Sequence, residues 1–335
     1  MLNLRKSTPE NYSIEDVKSF VGQDLKKIEN LLQQVIKDSS QLTYDVSNSI
    51  FASGGKRIRP ILTILSGKLF NYQSEELFYL AAAVELIHTA TLLHDDVIDD
   101  SQMRRGKETA NYKYGNKAPI LVGDFLFAES FKYMVNSKSL DALKILAEAS
   151  SIISEGEVKQ LELIKHKDFT QTKYLEVIQA KTAELFGAAT ESAAILAGRS
   201  SSEAKILKEF GVTLGIAFQI IDDVLDYSTN ASKLGKNLGD DFFEQKITLP
   251  VILLHKNSTK SEQIELEEIF HKTPPNRDDL NFVITQLANK EIPAQCYDFA
   301  KGYLHNSLKA LHNFPANETR NVMEALCHIA IERKY

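Results

Sequence analysis

Two short segments of this 335-residue chain are far more acidic than the apolar stretches they close. Residues 92–100 read LLHDDVIDD and residues 220–227 read IIDDVLDY, so D-D-x-x-D occurs twice. The first copy holds Asp95, Asp96 and Asp99, and the second holds Asp222, Asp223 and Asp226. On a helix, residues four apart share a face, so Asp95 and Asp99 project together. Like charges at that spacing repel, and acids at a helix C-terminus oppose the macrodipole. Cations relieve both costs. Magnesium suits the role, because it takes oxygen ligands and usually shares them with substrate phosphates. One such cluster is more often a solvated helix end. A second, 127 residues further on (222 − 95 = 127), points to two clusters facing each other across a cavity.

Basic residues complement them. Residues 54–60 read GGKRIRP, with Lys56, Arg57 and Arg59 in four positions, and MRRGK at 103–107 sets Arg104 and Arg105 behind the first cluster. Arginine offers a fork matched to phosphate oxygens, and lysine a point charge. Either group alone is more often a solvated turn. Beside acids, in a chain of net charge −6, the two look like anion sites around a metal-bound anion. His88 lies seven residues before Asp95, two helical turns away and on the same face. It is either a satisfied core histidine or a ligand. Lys181–Thr182 and Gln219 are polar groups inside helical stretches, where buried polar atoms need partners. Residues 234–250, LGKNLGDDFFEQKITLP, supply Lys236, Asp240, Asp241 and Lys246 on a glycine-punctuated loop, which reads as a flexible lid.

The elements that must position these residues read as helices. No proline falls between Pro119 and Pro250, and apolar residues such as Leu140, Leu143 and Leu146 recur at helical spacing. Alternating runs are scarce, and no Asn-Gly or Asp-Gly turn joins any two. Residues 77–93 and 211–225 are apolar nearly all round, which suits the middle of a bundle. The expected fold is all-α, one domain over residues 1–335, with about ten or more helices around a central cavity. The polar stretch from His255 to Asp279 reads as a surface excursion.

Composition narrows the functional classes. Hydrophobic content of 43% and charged content of 25% fit an ordinary globular protein, and the acidic balance offers nothing to nucleic acid. Cys296 and Cys327 have neither zinc-site nor disulfide-framework spacing. The N-terminus lacks the apolar core of a signal peptide, and no stretch approaches the roughly 20 apolar residues of a membrane span. The expectation is a cytoplasmic protein with no transmembrane segment.

Taken in order, GGKRIRP, HDDVIDDSQMRRG, the Lys181–Thr182 pair, FQIIDDVLDY and LGKNLGDD resemble the trans-polyprenyl diphosphate synthase family, and LVGDFLF at 121–127 is similar as well. The resemblance implies the isoprenoid synthase fold, a homodimer, and condensation of isopentenyl diphosphate onto an allylic diphosphate. It implies magnesium at Asp95 and Asp99, with Asp96 nearby, for two ions, and at Asp222, supported by Asp223 and Asp226, for a third. Arg104, Lys181, Lys236 and, more weakly, Lys246 would contact the allylic diphosphate, with Thr182 and Gln219 near the developing cation. Lys56, Arg59, His88 and Arg105 would hold isopentenyl diphosphate. Short-product branches of the family carry Phe or Tyr near position 90, where this chain has Ala90 and Thr91. That similarity to octaprenyl synthases of quinone biosynthesis implies a product of about six to ten isoprene units, with transient membrane contact on release. Phe131 or Met134 would form the floor of the tail tunnel.

Other readings remain open at this point. They are a farnesyl or geranylgeranyl synthase, a class I terpene cyclase, a non-catalytic subunit of a heteromeric synthase and a di-iron bundle. A cyclase needs no isopentenyl site, and a non-catalytic subunit has no need of metal ligands. A di-iron bundle needs two E-x-x-H pairs, and only Glu85–His88 occurs.

Overall fold

Prolines and short polar side chains set many of the helix starts. The computed structural model describes residues 12–52, 54–228, 238–272 and 274–331. Helices α1 (Ile14–Phe20), α2 (Gly22–Lys37) and α3 (Gln41–Ala52) lead into α4 (Ile58–Leu69) and α5 (Glu75–Ile98). A small hairpin, β1 (Met103–Arg104) and β2 (Lys107–Glu108), precedes α6 (Ala110–Tyr114), α7 (Lys117–Asn136) and α8 (Leu140–His166). Next come α9 (Gln171–Ile178), a π-helical turn (Gln179–Ala183), α10 (Glu184–Leu196) and α11 (Ser201–Asp226). The chain closes with α12 (Asp240–Phe243), α13 (Leu249–Lys256) and α14 (Lys260–His271), then α15 (Arg277–Asn289), α16 (Ile292–Leu311) and α17 (Glu318–Ile331). Pro60, Pro119, Pro250 and Pro293 all fall in a first turn, where the backbone N–H has no partner to lose. Ser200 with Glu203, and Thr259 with Glu262, form reciprocal capping boxes at the starts of α11 and α14.

The fold is all-α, as the sequence predicts, with one buried cluster running from Tyr12 to Ile331. Its centre differs in one respect from the expectation. α10 packs against α4, α5, α8 and α11, so α5 and α11 lie on either side of a third central helix. The cause is small side chains: Ala188, Ala189, Ala193 and Ala194 are fully buried and let neighbouring backbones approach.

Three further expectations change. The β1–β2 hairpin turns on Arg105–Gly106, both with positive φ (52° and 74°), which is primed-turn geometry reached without the expected Asn or Asp. The stretch read as a surface excursion contains α14, which buries Leu266, Ile269 and Phe270. Among the described residues one helix, Glu75–Ile98, is long and apolar enough to cross a membrane by length and composition, with 72% of that window buried inside the protein. It is a core helix.

Candidate active site

The open side of α5 carries the first cluster. His88, Thr91, Leu92, Asp95 and Asp99 are its partly exposed positions at helical spacing, in a helix otherwise largely buried. Asp96 points the other way, 2% exposed, and accepts a hydrogen bond from Arg104 Nε at 2.7 Å. Burial alone would lower Arg104, but Asp96 outweighs it, with Asp95 and Asp99 adding to the effect. Asp95 stands 3.8 Å from Lys181 Nζ, and Asp99 accepts from Lys246 Nζ at 2.8 Å.

The second cluster divides in the same way. Asp222 is partly exposed, whereas Asp223 and Asp226 are 3% and 1% exposed. Asp223 accepts from the Tyr174 hydroxyl at 2.6 Å and from Gln219 Nε2 at 2.7 Å, and the Thr182 hydroxyl donates to Gln219 Oε1 at 2.8 Å. Asp226 accepts from the Asp241 backbone N–H through its carboxylate (3.0 Å) and from Gly239 N–H through its carbonyl (2.9 Å). It thereby ties α12 to the end of α11. Burial, then Asp241, push Asp223 up to about 8 despite these hydrogen bonds, and Asp222 adds to the push.

Lys246 lies between Asp99 and Glu244, 2.6 Å away. Burial would lower its pKa, and Glu244 and Asp99 together hold it above the ordinary value. Lys181 projects from the π-turn, a feature often found at functional sites. The turn fits because its neighbours lack side chains. A Cβ at Gly156 would lie 2.9 Å from the Ala180 Cβ, and one at Gly215 2.6 Å from the Ala183 Cα. Lys181 Nζ donates to Glu157 Oε2 and Gln160 Oε1, each at 2.8 Å. Burial, then Asp95, raise Glu157 to about 7. These groups surround a cavity of about 110 Å³ lined by Lys181, Thr182, Gln219, Asp223, Asp241 and Lys246, with an apolar wall from Leu163 and Ile164.

The GGKRIRP cations separate into two uses. Arg57 adopts φ 51° before α4 and pairs with Glu85 at 2.6 Å and Glu29 at 2.7 Å. It holds the loop in place. Arg59 stacks over Phe186 at 4.6 Å and donates to His88 Nε2 at 3.1 Å. Burial, then Arg59 and Arg105, hold His88 well below its ordinary pKa, so it is neutral and accepts that bond. Arg59 Nε is buried with no protein partner among the described residues, a donor suited to an anion. Arg105 donates to the Gly54 carbonyl, which brings it to the same loop, where Lys56 is exposed.

Lys236 lies outside the described residues. Ala90 is 1% exposed and off the open stripe, which carries Thr91 instead. Met134 is fully buried, but Phe131 is 40% exposed and meets Phe127 edge-on, because Val122, Leu126, Ser130, Tyr133 and Met134 occupy the buried side of α7. Phe131 therefore does not join the interior of this chain. Tyr174, Glu157, Gln160 and Glu244 went unnoticed in the sequence. Tyr174 and Gln160 have no charge to mark them, and the two acids are dispersed among many others.

Comparison with known proteins places this geometry. Residues 40–287 match the Polyprenyl synthetase family model. The octaprenyl diphosphate synthase of Escherichia coli (strain K12) is 37% identical over 321 residues, covering 96% of this chain and 99% of that protein. A polyprenyl synthase from Caulobacter crescentus CB15, crystallised with calcium and isoprenyl diphosphate, superposes with a TM-score of 0.92 at 39% identity, covering 99% of this chain and 100% of that one. A decaprenyl diphosphate synthase from Rhodobacter capsulatus gives a TM-score of 0.89 at 37% identity, with 96% and 99% covered. Fold and site together define a prenyltransferase of the isoprenoid synthase type. The chain belongs to the polyprenyl synthetase family.

The Arg57–Glu85 pair yields a stability test. Glu85 is buried between Arg57 and Arg59, so Glu85→Ala leaves two guanidinium groups without their buried counter-charge. The expected cost is about 3–5 kcal/mol, read from the midpoint of urea unfolding. A loss below about 1 kcal/mol would mean that solvent already screens the pair.

Proposed function

We propose that this chain is a long-chain trans-polyprenyl diphosphate synthase, adding isopentenyl diphosphate repeatedly to an allylic primer to reach about C30–C50 for a quinone side chain. The observation that carries the reading is a cavity lined by Asp223 of the second cluster, whose wall lysines Lys181 and Lys246 reach Asp95 and Asp99 of the first. Relatives named for octaprenyl and decaprenyl products favour the long-chain outcome.

The donor set fits magnesium completed by a ligand. Among the described residues no group of three or more His, Cys, Asp or Glu is gathered closely enough to hold an ion alone. Magnesium typically takes one or two carboxylates and fills its shell with phosphate oxygens and water. Asp95, Asp99 and Asp222 are the partly exposed members, Asp96 and Asp226 are buried, and Asp223, also buried, lines the cavity. When bound, magnesium supplies Lewis-acid neutralisation of the departing diphosphate. The chain's own residues do the rest. Lys181, Lys246 and Arg104 add positive charge where the diphosphate oxygens gain negative charge. Arg59, Lys56 and Arg105 hold isopentenyl diphosphate, with neutral His88 fixing Arg59, so that its double bond faces C1 of the primer. Gln219, locked by Asp223, accepts the Thr182 hydrogen and leaves the hydroxyl lone pairs to face the allylic cation. Burial on α10 and α11 excludes water that would quench that cation. The C–O bond breaks first, the departing diphosphate taking the electron pair. The isopentenyl double bond then forms the new C–C bond at C1, and the released diphosphate accepts the proton lost from the added unit.

A homodimer accompanies this reading. Leu121, Phe131 and Val135 on α7, with Ile152 and Val158 on α8, leave an exposed apolar face that a second copy would cover. Leu121→Glu with Phe131→Glu is expected to convert dimer to monomer in light scattering after size exclusion. An unchanged mass places the interface elsewhere.

Asp95→Ala or Asp222→Ala is expected to lower turnover roughly a thousandfold or more with helix content unchanged. Near-normal activity of either at saturating magnesium contradicts the metal assignment. For chain length, Thr91→Tyr on the open stripe brings a ring about 6 Å below Asp95 along α5. It should cut the product to farnesyl or geranylgeranyl length, read by chromatography of the dephosphorylated products, whereas Ala90→Tyr at a buried position should lower stability and rate together. An active Thr91→Tyr variant that still releases the wild-type length puts the tail on another face.

A further inference from the structure

The LVGDFLF segment of α7 lines no part of the cavity, yet it meets the residue that precedes the first aspartate cluster. His94, the residue before Asp95, lays its ring over α7. Its Nε2–H donates to the Ile120 carbonyl oxygen at 3.2 Å and stands 3.5 Å from Asp124 Oδ1. Gly123 lies beneath the ring. A Cβ there would fall 2.6 Å from His94 Cδ2, 3.1 Å from Cε1 and closer still to Nε2. Those distances are too short for real atoms, so any larger residue would push the imidazole aside. Glycine inside a helix costs about 1 kcal/mol against alanine. Gly123 is the seventh residue of a 20-residue helix, well inside it, so its presence calls for a packing reason. The imidazole supplies one.

We propose that His94 and Gly123 form a positioning lock. The imidazole seats on the bare backbone of α7 and so fixes the rotation of the last turn of α5. That rotation sets where Asp95 and Asp99 project. Neither lock residue touches the reacting atoms, and both are positioning residues. A shift of about 1 Å at a reacting group can cost a hundredfold in rate, so a small rotation suffices. The proposal rests on the reading that Asp95 and Asp99 hold metal.

The test uses the full chain with Gly123→Ala, His94→Ala and the double variant. Magnesium is titrated against the thermal midpoint in the presence of inorganic pyrophosphate, and turnover and the KM for isopentenyl diphosphate are measured separately. Gly123→Ala is expected to raise the half-saturating magnesium concentration and to lower turnover about a hundredfold, with the unliganded midpoint and that KM little changed. Removing the ring makes room for the new Cβ. The double variant should therefore regain about tenfold in turnover over Gly123→Ala, together with much of the magnesium response. If Gly123→Ala does not fold, recovery of folding in the double variant supports the lock and failure to recover overturns it. A Gly123→Ala protein with the wild-type magnesium response overturns it too, as does a double variant no better than Gly123→Ala. A wild-type protein that shows no magnesium-dependent shift overturns the metal reading, and the lock with it.

Discussion

Mutual repulsion among carboxylates crowded at two helix ends is the constraint on which the rest of this structure depends. Asp223 and Asp241 line one cavity, and Lys181 and Lys246 on its wall reach Asp95, Glu157, Asp99 and Glu244. Such a concentration of acid in a partly buried space is unfavourable unless positive charge is at hand. Lys181 and Lys246 supply part of it, each shared between two acids. A diphosphate cannot enter an acidic cavity alone. It can enter with divalent cations, and the pair then gives the carboxylates the charge that two lysines cannot. On the proposed reading, substrate and metal binding are one electrostatic event.

Each D-D-x-x-D segment divides its work. In the first, Asp96 turns inward and fixes Arg104. In the second, Asp223 orders Gln219 and Tyr174, and Asp226 anchors the backbone of Gly239 and Asp241. The buried members hold the surroundings still so that the exposed members can act. This follows from helix geometry, since adjacent residues are about 100° apart and cannot share one environment. Arg57 and Arg59 repeat the pattern two residues apart in the basic loop, one pairing with buried acid and the other presenting an Nε with no partner among the described residues.

Much of this was legible in the sequence. Charge type, four-residue spacing and apolar helix character are local properties, and they predicted the all-α fold and both carboxylate clusters. What was not legible depends on approach between distant elements. The centrality of α10 comes from alanines that read as weakly hydrophobic, and the π-turn under Lys181 exists because Gly156 and Gly215 stand opposite it. The Arg105–Gly106 hairpin uses a residue with no usual preference for positive φ. Phe131 illustrates the limit of reading by size alone. Helical phase relative to Met134 decided its face, and three residues of separation were enough to place one inside and the other outside.

The proposed long product would impose a second demand, opposite in character to the first. The mouth must be densely charged, while the path beyond it must be apolar and free of large side chains. α5 meets both with one helix, since its C-terminal turn carries the acids and the turns before it carry alanine, threonine and leucine. An apolar helix of this length would suit a membrane equally well by composition, and burial among α2, α4, α7 and α10 is what makes it the core of this fold. A helix enclosed on that many sides has little freedom to slide or turn. On the proposed reading, the enclosure that excludes water from an allylic cation also fixes the carboxylates that would hold the metal. Packing and catalysis here make the same requirement of α5, which is that it stay where it is.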